Sequence, residues 1–224
     1  MKSEADWAAW FARYEEFIVH YARLAEAADM EALAIGTELE GTTMREAKWR
    51  HVIAAVRRVY HGRLTYAANW SGEFEQIRFW DALDFIGIQA YFPLSNHSEA
   101  AVDELIAGWA PHAAKLAALH RRTGKSIVMT EIGYKAADRA TVEPWTWTTT
   151  DRYNPDEQAR AYEAAFRVFW NQPWCDGFYW WKWFPAGHHE AGGRDRYFTP
   201  QDKPAAAVMA RWYAARADLT PKAE

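Results

Sequence analysis

The chain has 224 residues, half of them hydrophobic, which is enough for one sizeable core, so a single domain over 1–224 is expected. A net charge of −4 gives no basic excess to recruit phosphate backbones, so nucleic acid is not expected as a partner. One cysteine, Cys175, rules out an internal disulfide, and no apolar run approaches the ~20 residues of a membrane span, so no membrane contact is expected.

The opening residues, Met1-Lys2-Ser3-Glu4-Ala5-Asp6, lack the apolar core of a leader. A cytoplasmic location is the expectation, with a secreted parent protein not excluded.

Residues 4–29 read as a helix capped by Ser3, with Trp7, Trp10, Phe11, Tyr14, Phe17, Ile18 and Tyr21 at three- and four-residue spacing. Ala32 to Leu39 reads as the first strand. Thr43-Met44-Arg45-Glu46 has the pattern of a capping box, opening a helix to about Tyr60 that Gly62 stops. Leu64 to Trp70 is the second strand, and 74–83 a short helix at most. Phe85 to Tyr91 is the third strand, ended by Phe92-Pro93. A long helix over 98–122 closes at Gly124, and Pro111 inside it is expected to kink or split it. Ser126 to Glu131 is the fourth strand.

The loop 135–153 is too long for a plain connection and carries Trp145, Trp147 and Tyr153. Asn154-Pro155-Asp156-Glu157 then opens a helix, with Asn as cap and Pro at the first helical position. Gly177 to Phe184 is the fifth strand, 185–202 a polar loop, and 203–216 a last helix. Strands alternating with helices predict a parallel sheet, and long loops after the strands predict a site at their C-terminal ends. Five strands fall short of the eight of a closed barrel, so an open sheet, a barrel missing its first part, or one completed by another chain all remain open. An open parallel edge also invites self-association.

Two strands run into carboxylates: Ile35-Gly36-Thr37-Glu38 and Met129-Thr130-Glu131. Paired glutamates at strand ends are the raw material of glycoside hydrolysis. The 14 Trp, 11 Tyr and 11 Phe fit that chemistry, because a sugar's C–H face packs on an aromatic face. Part of this aromatic content is expected to be core.

The segments Ile35 to Thr42, Tyr66 to Trp70, Phe85 to Pro93, Met129 to Tyr134 and Gly177 to Trp183 resemble glycoside hydrolase family 113. That family belongs to a clan of retaining (β/α)8 glycosidases, and its known activity is endo-β-1,4-mannanase. The resemblance implies a TIM-barrel type of α/β fold in which these five strands are the fourth to eighth. It also implies Glu38 as acid/base, Glu131 as nucleophile, an oligo- or polysaccharide substrate and no cofactor. The clan's Asn-Glu pair at the fourth strand is Thr37-Glu38 here, which changes the residue placed to bond the sugar 2-hydroxyl.

Retaining chemistry needs one ionised carboxylate and one protonated one, about 5–5.5 Å apart. Tyr91, at a neighbouring strand end, is placed to donate its hydroxyl to Glu131 and keep it ionised and oriented; a packed aromatic is the plainer reading. Glu40 lies two residues beyond Glu38, so strand alternation would turn both to one side and leave either as the acid. Trp181 and Trp183 share a strand face, one of them expected to floor the sugar subsite. Asn69 and Trp70 offer polar and stacking contacts, and Trp145 and Trp147 either line outer subsites or clasp a loop.

His188-His189-Glu190 lacks a third metal ligand at a recognisable spacing. Gly192-Gly193-Arg194-Asp195 lacks phosphate-loop glycine spacing. No Ser or Cys nucleophile motif is present, and Cys175 is placed before a strand. Two other readings stand beside the mannanase: a carbohydrate-binding or degenerate barrel fragment without turnover, and a glycosidase acting on a β-linked glucan.

Overall fold

The computed structural model describes residues 3–147, 150–185 and 195–217. Thirteen elements follow in chain order: α1 (Glu4–Ala27), β1 (Ala32–Thr37), α2 (Glu40–Thr43), α3 (Glu46–Arg57), β2 (Arg63–Asn69), α4 (Glu73–Gln76), a 3-10 turn (Trp80–Ala82), β3 (Ile86–Gln89), α5 (Val102–Thr123), β4 (Ile127–Ile132), α6 (Pro155–Phe169), β5 (Cys175–Trp180) and α7 (Pro204–Ala217). The five strands form one sheet in the order β1-β2-β3-β4-β5, with β1/β2 and β2/β3 parallel. All four residues of β3 and most of β2 are buried, as in parallel strands covered on both faces.

The chain divides into two compact units, Met1–Gln89 with Leu119–Val128, and Ala90–Ala118 with Met129–Glu224. In the first, fully buried Trp49 gathers the core. Phe11, Tyr14 and Tyr66 meet its ring edge-on, Phe79 stacks on it, and its indole N–H donates to Thr42 Oγ1 at 3.0 Å. In the second, Phe166 packs with Phe178, Trp180, Trp212 and Tyr213. Much of the tryptophan content is thus core: Trp49, Trp80, Trp109 and Trp174 are all buried.

The helix ends show where local pattern decides and where it does not. Ser3 caps α1 in a full capping box with Asp6, and Asn154 Oδ1 accepts from the Glu157 N–H, with Pro155 opening α6. The predicted box at Thr43–Glu46 does not form. The Thr43 hydroxyl instead donates back to the Glu40 carbonyl, closing the separate turn α2, and α3 starts after Arg45 without a side-chain cap. Nor does Gly62 stop α3, which ends at Arg57. A Cβ at Gly62 would sit 2.1 Å from the Tyr60 hydroxyl, so a glycine there makes room for that ring to bond Met30 O at 2.7 Å. Pro111 does not split α5, which runs unbroken and is closed by the Gly124 N–H on His120 O.

β5 begins at Cys175 and ends at Trp180, earlier than predicted, so Cys175 opens the strand rather than preceding it. His188-His189-Glu190 and Gly192-Gly193-Arg194 lie outside the described residues. Among the described residues no helix is long and apolar enough to cross a membrane, and no group of three or more metal-ligating side chains occurs.

Candidate active site

In the first unit the site is built at the ends of β1 and β2. A bulge between Ala34 and Thr37 shifts the β1/β2 register, and Glu38 follows at φ +49, where few non-glycine residues sit. The Glu38 N–H still bonds Ala67 O at 2.9 Å. The chain then turns into α2 at once, so strand alternation stops and Glu40 becomes the first residue of that helix. Glu38 is exposed, and the Asn69 amide donates to its Oε1 at 3.2 Å. Thr37 is exposed at the end of β1, and Trp70 is half-buried beyond β2.

Beneath these lies Glu73, a carboxylate with no exposed surface. Its Oε1 accepts from the Tyr66 hydroxyl and its Oε2 from the Asn69 N–H, each at 2.6 Å. The Tyr66 hydroxyl in turn accepts from the Leu39 N–H, also at 2.6 Å. Burial pushes the Glu73 carboxyl up, and the Tyr66 and Asn69 bonds only partly offset this. Burial likewise pushes Tyr66 far up, with Glu73 adding to it, so the phenol keeps its proton. Sequence reading missed Glu73 because the short helix around it shows no pattern that marks a carboxylate as buried.

In the second unit Glu131 is the next-to-last residue of β4 and half-buried. Its carbonyl accepts from the Ala90 N–H at 2.7 Å, and Ile132 O accepts from the Trp181 N–H at 2.7 Å, which locks the strand end between its neighbours. The Tyr91 hydroxyl donates to Glu131 Oε2 at 2.7 Å. This is the contact expected from the sequence. An aromatic cluster continues from it: Tyr91 against Phe198, Phe198 against Trp147, and Trp147 edge-on to Trp181. The Lys182 ammonium lies over the Trp147 ring at 5.6 Å. The Trp181 indole N–H is buried with no hydrogen-bond partner among the described residues.

Trp181 and Trp183 do not share a strand face, because β5 has ended before them; Trp183 is exposed. Trp145 and Trp147 are exposed too, and Trp147 reaches the cluster from a loop that is tied down. Ala137 bridges Tyr153, the Asn154 amide donates to Asp138 at 2.7 Å, and Lys135 Nζ donates to Thr146 Oγ1 at 2.6 Å. Lys135 is buried, which pushes its pKa down.

Each unit thus presents a glutamate oriented by a hydrogen-bond donor at a strand end. One is flanked by aromatic faces, the other sits above a buried polar network. Carboxylates beside stacking surfaces are equipped for glycosyl chemistry.

The comparisons agree. The family model for Glycoside Hydrolase Family 113 matches residues 1–203. The GH113 β-mannanase AaManA from Alicyclobacillus acidocaldarius, solved in complex with ManMIm, is 33% identical with a TM-score of 0.81; the match covers 93% of this chain and 63% of that one. A GH113 β-1,4-mannanase solved as a complex is 27% identical with a TM-score of 0.82, covering 94% and 64%. The chain therefore spans less than two thirds of the length of these mannanases. A β-glucuronidase from Faecalibacterium prausnitzii, 13% identical with a TM-score of 0.65, shares the fold. Among curated protein sequences none matches the chain. The fold is α/β of the (β/α)8-barrel type, of which the described residues carry five strands. The chain belongs to Glycoside Hydrolase Family 113.

Proposed function

We propose that the chain hydrolyses β-1,4-mannosidic linkages with retention, Glu131 acting as nucleophile and Glu38 as acid/base. The observation that carries this reading is the 2.7 Å bond from the Tyr91 hydroxyl to Glu131 at the end of β4. It holds one carboxylate oxygen and leaves the other for attack. Glu131 attacks the anomeric carbon while Glu38 gives its proton to the departing glycosidic oxygen. Glu38 then takes a proton from water, whose oxygen displaces Glu131 and regenerates both groups. Only carboxyl chemistry is invoked, with no cofactor.

Trp181 serves as an aromatic floor for the sugar beside the cleaved bond, and Trp183 and Trp70 as further stacking faces. Thr37 and Asn69 supply polar contacts. The five strands correspond to the fourth to eighth of the barrel. In support of the substrate class, the similar mannanase structures carry mannanase names and one is bound to ManMIm.

The test is reducing-sugar release from mannan by wild type, Glu131→Ala and Glu38→Ala. Loss of release in both variants is expected, and release that survives Glu131→Ala contradicts the assignment. A second reading is sugar binding without turnover, carried by the aromatic cluster of Tyr91, Phe198, Trp147 and Trp181. It predicts manno-oligosaccharide binding by calorimetry with no reducing sugar formed.

A further inference from the structure

We infer that Glu73 is a positioning residue for the acid/base, an inference that rests on Glu38 having that role. Two routes lead from its carboxylate to Glu38. Through Oε2 it holds the main-chain N–H of Asn69, whose side-chain amide donates to Glu38 Oε1 at 3.2 Å. Through Oε1 it accepts the hydrogen bond of the Tyr66 hydroxyl, leaving that oxygen to accept the N–H of Leu39, the residue after Glu38. Glu38 itself sits at φ +49, a conformation that costs energy for a side-chain-bearing residue and persists only where its surroundings over-determine it. Glu73 is what over-determines it: one carboxylate fixes both the peptide that follows Glu38 and the strand end that presents Asn69.

Two features make this arrangement specific. Gly36 lacks the Cβ that would meet the Tyr66 ring at 2.8 Å, so the phenol can lie against β1 and reach Leu39. Among the described residues Glu73 makes no ion pair; its two oxygens are taken by Tyr66 and Asn69 of β2, which bond Leu39 and Glu38 in turn.

The effect of losing Glu73 is predicted to fall on proton delivery. kcat/KM reports the steps through departure of the leaving group. A mannopentaose leaving group needs a proton from the acid, whereas a dinitrophenolate leaves without one. In Glu73→Gln the amide can accept from only one of its two donors and turns its NH2 on the other. Mispositioning on the ångström scale costs on the order of 10²-fold, so kcat/KM on mannopentaose should fall by about that factor, while kcat/KM on a dinitrophenyl β-mannoside changes by less than about threefold.

Glu38→Ala is the reference. If it shows the leaving-group split and Glu73→Gln does not, the inference fails and the acid assignment stands. If Glu38→Ala lacks the split, the acid assignment fails and takes the inference with it. Equal losses on both substrates in Glu73→Gln would reduce Glu73 to a general structural role. Should that variant not fold, Tyr66→Phe, which removes the same link to Leu39, carries the test. Amide hydrogen exchange gives a readout that needs no turnover. Leu39 should be protected in wild type and exchange at least tenfold faster in both variants, with the core amides of β2 unchanged; unaltered Leu39 protection overturns the inference.

Discussion

At the scale of single residues the proposed chemistry turns on Tyr91 and Glu131. A hydroxyl given to a carboxylate is a charge-assisted bond, and removing one costs about 1.5–3 kcal/mol. Tyr91→Phe is therefore expected to lower kcat on mannan roughly ten- to hundredfold while the protein stays folded, as steady-state kinetics beside a thermal melt would show. This pair was legible because each residue closes an apolar run, and β-branched runs that stop at a polar residue mark strand ends. The place of Glu38 at a strand end was legible for the same reason, whereas strand alternation does not reach Glu40, which begins α2. Glu73 was not legible. Its burial depends on Tyr66, seven residues away, and on the fold of the β2 end, and no periodicity within α4 reports either. Trp181 and Trp183 were misassigned to a strand face because their aromatic run continues past the point where β5 stops pairing.

Among the elements, β1 has packing that a single methyl can break. A Cβ at Gly36 would stand 2.8 Å from Tyr66 and 2.9 Å from Trp49, both ring atoms of the fully buried cluster. Overpacking of this kind costs about 1–3 kcal/mol, so Gly36→Ala should lower the denaturation midpoint measurably. α7 is tied to α6 by Glu163, which accepts from Trp212 Nε1 at 2.9 Å and Arg167 Nε at 2.7 Å, and pairs with Arg211.

Burial works to raise the Glu163 pKa, but the bonds from Trp212 and Arg167, with Arg211 beside them, bring it below its ordinary 4.5. A carboxylate whose folded pKa is depressed stabilises the fold above the unfolded value, and that contribution is lost as pH falls through the folded value. Glu163→Gln should thus cost about 1–2 kcal/mol at pH ~7, with the gap to wild type closing below pH ~4.5 in urea titrations.

The helix starts show why elements are read unevenly. Asn154 and Ser3 announce their caps because their side chains do cap, whereas Thr43 carries the same pattern and spends its hydroxyl on Glu40 O instead. Sequence shows a donor and an acceptor in range, not which partner wins.

At the scale of the whole molecule, a five-stranded sheet with alternating helices was readable from strand spacing, and family membership accounts for it. The aromatic excess was readable only as an excess. Which rings are core and which are open followed from long-range packing, with Trp49 and Trp109 inside and Trp145 and Trp183 outside. Substrate choice belongs at this scale too. Mannan should be cleaved in clear preference to a β-linked glucan, and equal rates on the two polysaccharides would move the reading to a broader glycosidase.

The claim on which the account depends is that Glu131 becomes covalently bonded to the sugar, and mechanism-based trapping tests it most directly. Incubation with a 2-fluoro-mannosyl fluoride, followed by peptide mass spectrometry, is predicted to place one fluoromannosyl adduct on the peptide containing Glu131, with none formed in Glu131→Ala. An adduct on any other carboxylate, or inactivation that persists in Glu131→Ala, would contradict it.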